Sequence, residues 1–193
     1  MSKRLNFACF VLSIFLHAHF VHAGLMEISA SYGVRTSSID EENFTESETW
    51  SGSFAWYFLE MSAIELSYTQ GNGEQSLRAA GDPNALVYFT EFEMYGADLV
   101  ITFAEKKSVI QPFIRGGAAR LKKKFFREDT SNGQITEFGE PVDDVVPSYG
   151  FGLKIMLTQG FSIKGSYDRW RSGSTEDKDI WDDAIKGGIS WMF

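Results

Sequence analysis

The sequence predicts an all-β fold, an eight-stranded antiparallel up-and-down barrel. Three observations predict it. From Gly24 onward the apolar residues recur with period two, the mark of half-buried strands rather than helices. The connections alternate between short turns and long polar linkers, as in a meander with turns on one rim and loops on the other. Finally, "KGGISWMF" carries Ile189, Trp191 and Phe193 on alternate positions up to the last residue, where an untethered end usually frays out in small or charged residues.

The 23 residues before Gly24 stand outside this pattern. Lys3 and Arg4 precede the apolar run "ACFVLSIFL", and Val21 and Ala23 occupy the two small-residue sites of a cleavage signal. The segment reads as a secretory signal peptide cleaved after Ala23, with residues 24–193 as the barrel domain. Its apolar run is shorter than the roughly 20 residues a spanning helix needs. Cys9 precedes that run instead of following it, which argues against a lipoprotein anchor.

Cleavage removes Cys9, His17, His19 and His22, the chain's only cysteine and histidines. A disulfide, a Cys/His zinc site and a His-activated nucleophile are then excluded, and no cofactor is expected. Losing Lys3 and Arg4 but no acid takes the net charge from −8 to −10. That balance argues against nucleic acid, whose binding rests on Lys and Arg neutralising phosphates.

The strands follow in order. The first sets Met26, Ile28, Ala30, Tyr32 and Val34 against Glu27, Ser29, Ser31, Gly33 and Arg35. The second sets Trp50, Phe54, Trp56 and Phe58 against Ser51, Ser53, Ala55 and Tyr57. The third sets Ile64, Leu66 and Tyr68 against Glu65, Ser67 and Thr69. In the fourth the phase changes. Leu86, Tyr88, Phe92 and Met94 share one parity and Leu99, Ile101 and Phe103 the other, so a bulge near Gly96 is expected to restore a single apolar face. The fifth sets Ile110, Pro112, Ile114 and Ala118 against Gln111, Phe113, Arg115 and Gly117. The sixth sets Tyr149, Phe151, Leu153 and Ile155 against Ser148, Gly150, Gly152 and Lys154. The seventh sets Phe161, Ile163 and Tyr167 against Ser162, Lys164, Ser166 and Asp168. The eighth sets Ile185, Ile189, Trp191 and Phe193 against Lys186, Gly188 and Ser190. "LEMS", "AEKKS" and "TQG" are the short turns; the stretches 36–49, 70–85, 127–144 and 171–183 are expected as loops.

A soluble barrel of the lipocalin kind would bury the apolar faces. The residues favour the reverse, an eight-stranded antiparallel up-and-down transmembrane β-barrel. Trp50, Tyr68, Tyr88, Tyr149, Tyr167 and Trp191 lie toward strand ends, as in aromatic girdles at a lipid boundary. The polar faces carry both signs of charge in mid-strand. Glu27, Glu65 and Asp168 are expected to meet Arg35, Arg115, Lys154, Lys164 and Lys186 in a narrow lumen, because an unpaired buried charge costs several kcal/mol.

Lys186, Gly188, Trp191 and Phe193 match the terminal pattern of bacterial outer-membrane barrels. On these residues and the eight alternating segments the chain resembles the small eight-stranded barrels of the OmpA/OmpX type, within the outer membrane protein beta-barrel domain family. The resemblance implies a monomer in the bacterial outer membrane, in contact with its lipids and lipopolysaccharide. It also implies that the barrel-assembly machinery reads the last strand as it pairs with the first. No peptidoglycan-binding domain follows Phe193, so an OmpA-like tether to the cell wall is not carried over.

An enzyme is not expected. The acid pairs Asp143–Asp144 and Asp182–Asp183 sit in stretches read as solvated loops, and neighbouring acids on an extended chain point to opposite faces. Arg120, Lys122, Lys123, Lys124 and Arg127, at the loop end of the fifth strand, are candidates for binding lipopolysaccharide phosphates. Asp40, Glu41, Glu42, Glu176, Asp177 and Asp179 form acidic loops, but no EF-hand spacing marks a calcium site and no metal is assigned. The expected role is structural or surface-interacting, through the loops. The alternative is a narrow channel, with Gly33, Gly117, Gly150, Gly152 and Gly188 leaving gaps beside the lumen charges.

Overall fold

The computed structural model describes residues 26–38, 44–77, 86–129, 134–137, 141–174 and 179–193. Period-two patterning is realised as strands throughout, with no helix among the described residues. The elements are β1 (Met26–Ser38), β2 (Phe44–Leu59), β3 (Ser62–Leu77), β4 (Leu86–Thr102), β5 (Ile110–Asp129), β6 (Gln134–Glu137), β7 (Val142–Met156), β8 (Phe161–Ser174) and β9 (Asp179–Met192). All pairings are antiparallel. The sheet runs β4-β3-β2-β1-β9-β8-β7-β5 and closes through β4–β5, giving an eight-stranded barrel with β6 appended to the loop end of β5.

Closure joins the two ends of the barrel. Trp191 lies opposite Ile28, and the amides of Met26 and Phe193 each bond the other's carbonyl oxygen. No wall strand is left with a free edge at that seam.

Side chains sort by parity. Ile64, Leu66, Ile114, Phe151, Ile163 and Ile189 stand exposed on the outer wall, while Glu65, Gln111, Lys154, Asp168 and Lys186 are buried inside. A soluble barrel would do the opposite. A belt of exposed apolar side chains on every wall strand far exceeds the patch a water-soluble monomer tolerates.

Among the described residues, the stretches expected as loops contribute strand that extends the wall. β1 and β2 pair as far as Ser38 opposite Phe44, and β3 and β4 as far as Leu77 opposite Leu86. The reason is in their composition. Thr36, Ser37, Glu46, Ser47, Glu48 and Thr49 keep the strand alternation with polar residues, so the ladder continues beyond the apolar belt. Strands of 13 to 20 residues exceed the about 9–11 that a tilted strand needs to cross a bilayer.

Gly96 makes no bulge. β4 keeps one register on both neighbours from end to end, with Gly96 opposite Ser67 and Ala119. The phase change in its sequence is a change of lining. Tyr95, Leu99 and Ile101 face out, whereas Phe92 and Met94 face in and build an apolar layer inside the barrel.

At the loop end the wall divides. Among the described residues, β2 and β3 stop pairing above Ser47–Gly73, and β7 and β8 stop above Ser148–Trp170. Pro147 marks the second parting, and it has no amide hydrogen to give to a ladder. Beyond these points two four-stranded ribbons continue, β8-β9-β1-β2 and β3-β4-β5-β7, with a notch on each side.

Candidate functional site

The interior is layered. Nearest the turns, Glu27 accepts hydrogen bonds from Tyr57 Oη (2.6 Å) and Lys154 Nζ, and Lys154 also donates to Tyr57 at 2.9 Å. Ala55, Ala63, Val100 and Phe113 pack round this group. The next layer centres on Arg115. One of its nitrogens lies 2.8 Å from Glu65 and the other 2.6 Å from Asp168. Glu65 also takes Lys164 Nζ at 2.7 Å, Lys186 lies 3.4 Å from Asp168, and Ser148 donates to Asp98 at 2.7 Å.

Four acids, Glu27, Glu65, Asp98 and Asp168, thus face four bases, Arg115, Lys154, Lys164 and Lys186. The balance matters, because each ion removed from water costs several kcal/mol that only close partners offset. The bases come from β5, β7, β8 and β9. The facing wall of β1, β2 and β3 is lined by small hydroxyls, such as Ser29 bonded to Ser53 (2.6 Å) and Ser51 to Thr69 (2.8 Å). Long cationic side chains therefore reach across a lumen whose other side is short.

The candidate gap glycines have close neighbours. A side chain at Gly150 would meet Asp168 and Arg115, and one at Gly152 would meet Phe113. At Gly33, Gly117 and Gly188 a Cβ would meet a neighbouring strand's carbonyl oxygen as well as a side chain. The cavity between the serine wall and the ion pairs amounts to about 20 Å³, room for about one water.

Above the ion pairs an apolar layer crosses the barrel: Phe92, Met94, Ala119, Leu121, Val146, Trp170 and Ala184, all buried. Beyond it lies a third polar group, with Asp182 fully buried. Arg35 Nε approaches it at 2.9 Å, Lys123 Nζ at 3.1 Å, and Ser37 donates to it at 2.6 Å. The Arg35 guanidinium also lies over the Phe92 ring, 4.4 Å from its centre. Lys123 is on one ribbon and Asp182 on the other, so their ion pair clasps the two.

Seven of the eight candidate lumen residues fall in the two lower layers, and Arg35 belongs to the outer group. Asp182 corrects the expectation of solvated loop charge: its stretch is wall, and its parity turns it inward. Asp183 faces out, where Tyr167 donates to it. Lys123, Asp98 and Tyr57 are interior partners that the sequence did not mark as such. Their position on the polar parity of each strand was the available signal.

The basic stretch of β5 is divided by the pleat. Lys123 points inward and is taken up by Asp182, which removes it from any outward-facing cluster. Arg120, Lys122 and Lys124 share the outer face, and Arg127 is exposed near the strand end. Arg120 grips Asp143 with two hydrogen bonds of 2.7 and 2.9 Å, which holds that carboxyl below the usual carboxylate range. Lys122 Nζ sits 5.9 Å from the centre of the Tyr95 ring.

That ring belongs to an aromatic girdle at the loop-side edge of the apolar belt. Tyr32 contacts Trp50 (4.7 Å between centres), Tyr68 contacts Tyr95 (5.1 Å) and Tyr149 contacts Trp181 (5.7 Å). Trp56, Phe58, Phe103 and Leu157 ring the turn end. The side chain of Tyr88 and the acidic residues 40–42 and 176–177, like residues 1–25, lie outside the described parts; Asp179 opens β9, its side chain likewise undescribed. Of the terminal motif, Lys186 and Gly188 line the lumen, and Trp191 and Phe193 form the closing seam.

A family described as outer membrane protein beta-barrel domain matches residues 7–193. No curated protein matches the sequence. Among solved structures, Neisserial surface protein A is similar over 90% of this chain and 100% of its own, at 12% identity and a TM-score of 0.61. The N-terminal β-barrel domain of Pseudomonas aeruginosa OprF covers 89% and 100%, at 17% identity and 0.57. Ail, the attachment invasion locus protein of Yersinia pestis, covers 89% and 100%, at 15% and 0.55. At these identities the likeness is one of fold.

Proposed function

The chain belongs to the outer membrane protein beta-barrel domain family, and from that premise we propose a sealed barrel that works through the tier beyond the membrane, not through its lumen. The observation that carries this reading is the apolar layer of Phe92, Leu121, Val146 and Trp170, seated on a charge-balanced interior with room for about one water. A conducting path needs a continuous polar lining, and eight strands enclose only enough space for side chains to fill it. The loop end then faces the cell exterior and the short turns face the periplasm.

The outward-facing bases at that end support a surface role. Lys122 and Lys124 stand just above the girdle, at headgroup height, where lipopolysaccharide phosphates suit ammonium partners. Arg120 joins them by sharing its guanidinium between Asp143 and a phosphate. The last strand, ending in the Trp191–Phe193 seam, suits recognition by the assembly machinery as the barrel closes. The barrel acts as a monomer, exported by the segment before Gly24, and performs no catalysis.

Single-channel recording of the protein in a planar bilayer tests the reading, with heat-shifted gel mobility to establish folding. A folded, electrically silent barrel is the expected result. Steady, ion-selective openings that change when Arg115 or Lys154 is neutralised would replace it with the channel.

A further inference from the structure

The turn end of the barrel is not uniform around its rim. Between the β4–β5 turn (residues 103–109) and the β7–β8 turn (residues 157–160) lies a groove of about 510 Å³, within the about 300–1,000 Å³ of small-ligand clefts. Val109, Met156 and Leu157 give it an apolar lining, and Lys106, Lys107, Ser108 and Gln159 bring polar groups to it. The apolar lining runs into the lipid-facing belt. Val109 and Leu157 are exposed, and they adjoin Ile110 and Ile155, which stand exposed opposite each other in the ladder.

Both sides of the groove are held in place. Gln111, buried inside the barrel, donates its amide to the carbonyl oxygens of Lys106 (3.2 Å) and Ser108 (3.1 Å), and the Ser108 amide donates to the Glu105 carbonyl at 2.9 Å. Across the groove the Thr158 hydroxyl accepts the amides of Gly160 (3.3 Å) and Phe161 (3.0 Å). A groove shaped before its ligand arrives spares the cost of ordering it on binding. The positive charge of this end is gathered here. Among the described turn residues Lys106 and Lys107 are the bases; the β2–β3 turn carries Glu60 and the β7–β8 turn no charge. Lys107 closes no ion pair among the described residues, and Glu105 does not line the groove.

One class of ligand meets both halves of this lining. An acidic peptide would suit the lysines but not an apolar surface that opens onto the belt, and a bare acyl chain would leave the lysines unmet. A phospholipid carries phosphate and chains in one molecule. Lysines at a membrane edge lay their methylenes on apolar surface and raise the ammonium to headgroup height. A zwitterionic headgroup brings its own ammonium beside the phosphate, so a lysine pair favours a headgroup of net negative charge. We propose that this groove holds one anionic glycerophospholipid of the periplasmic leaflet. Its phosphate sits on Lys107 with Lys106 beside it, its chains cross Val109 and Leu157 onto the belt, and a headgroup hydroxyl faces Ser108 or Gln159. The site lies at the opposite rim from the lipopolysaccharide contact and takes a different lipid.

The test is native mass spectrometry of the protein released from detergent micelles, after titration with phosphatidylglycerol, phosphatidylethanolamine or phosphatidylcholine of the same chain length. One phosphatidylglycerol is expected to stay bound at collision energies that strip the other two. Lys106→Gln/Lys107→Gln should lower its retention roughly threefold or more, as the loss of exposed charge contacts allows. Leu157→Ser, with both lysines intact, should lower it as well, which charge attraction alone would not do. Lys122→Gln/Lys124→Gln, at the other end of the barrel, should change nothing. All five side chains are exposed, so the variants keep the fold, checked by heat-shifted mobility. Equal retention of the three lipids, full retention in either turn variant, or an equal loss in the Lys122/Lys124 variant would overturn the assignment. So would tighter retention of lipopolysaccharide at this groove, or displacement of the lipid by an aspartate–serine peptide, which would give the site to a protein segment. None of these readouts depends on whether the lumen conducts.

Discussion

The part of the barrel within the membrane and the part beyond it are built from the same eight strands but held by different means. Below the apolar layer every strand is paired on both sides, and four acids and four bases interlock across the lumen. Above it the wall is two ribbons, bridged inside, among the described residues, by Lys123–Asp182 and the Arg35–Phe92 stack. The difference follows from the surroundings. In lipid an unpaired backbone amide costs several kcal/mol, so the ladder must close; in water it can part at Pro147 or beside Gly73 at little cost. Rigidity lies where the membrane imposes it, and freedom to open lies where a partner can reach.

The sharpest test of that contrast is Arg115→Met. It leaves Glu65 and Asp168 facing the lumen with one cation fewer, and breaking a buried pair costs about 3–5 kcal/mol. Urea unfolding in lipid vesicles should show the whole transition moving to lower denaturant with its slope unchanged. A loss below about 1 kcal/mol would mean that the lumen charges are hydrated, and the contrast between tiers would fail.

Trp170→Ala acts at the boundary. Removing a buried indole from the apolar layer is expected to cost about 3 kcal/mol and to leave a cavity between the two polar groups. Bilayer recordings should then show intermittent leak that the parent lacks. Silence in this variant would assign the seal to the ion-paired layer instead.

Asp182→Asn probes the outer tier by itself. It leaves Arg35 and Lys123 as neighbouring buried cations, a large local penalty. Because the ribbons already part from each other, amide exchange at Thr36, Ser37 and Asp183 should accelerate strongly while the global unfolding free energy changes by less than about 0.5 kcal/mol. A midpoint falling as far as in Arg115→Met would make the tiers one cooperative unit.

The strand pattern made the barrel legible before its coordinates, and the reason is physical: with lipid outside and charges inside, each strand alternates without ambiguity. The readings that changed lie where that rule lapses. In the described parts of 36–49 and 171–183 the residues on both faces are mostly polar, so alternation in polarity fades and strand looks like loop. In β4 the inward residues Phe92 and Met94 are apolar, so a change of layer mimicked a change of phase. The fourth acid of the lumen, Asp98, alternates with the outward Leu99 and Ile101, so its inward parity was legible whatever happens at Gly96, although the expected lumen set omitted it. The clasp of Asp182 by Arg35 and Lys123 depends on how far three strands rise together, which no single strand's sequence records.

The smallest expected effect separates surface chemistry from architecture. Lys122 and Lys124 face out above the girdle, and neither enters the interior contacts that hold either tier. Lys122→Gln/Lys124→Gln should therefore leave urea stability within about 0.5 kcal/mol of the parent. Affinity for lipopolysaccharide, measured by exchange of labelled lipopolysaccharide into protein-bearing nanodiscs, should fall a few-fold, and the fall should shrink as salt rises because exposed charges are screened within about 10 Å at 0.1 M. Lys123→Gln is the informative control. It changes the same stretch of sequence by the same chemistry, yet its side chain is turned inward onto Asp182. It should loosen the ribbons and leave lipopolysaccharide affinity alone. If Lys123→Gln instead weakened lipopolysaccharide binding as much as the outward pair did, net charge rather than the outer face of β5 would govern the contact, and the pleat would have no part in selecting which lysines meet the lipid.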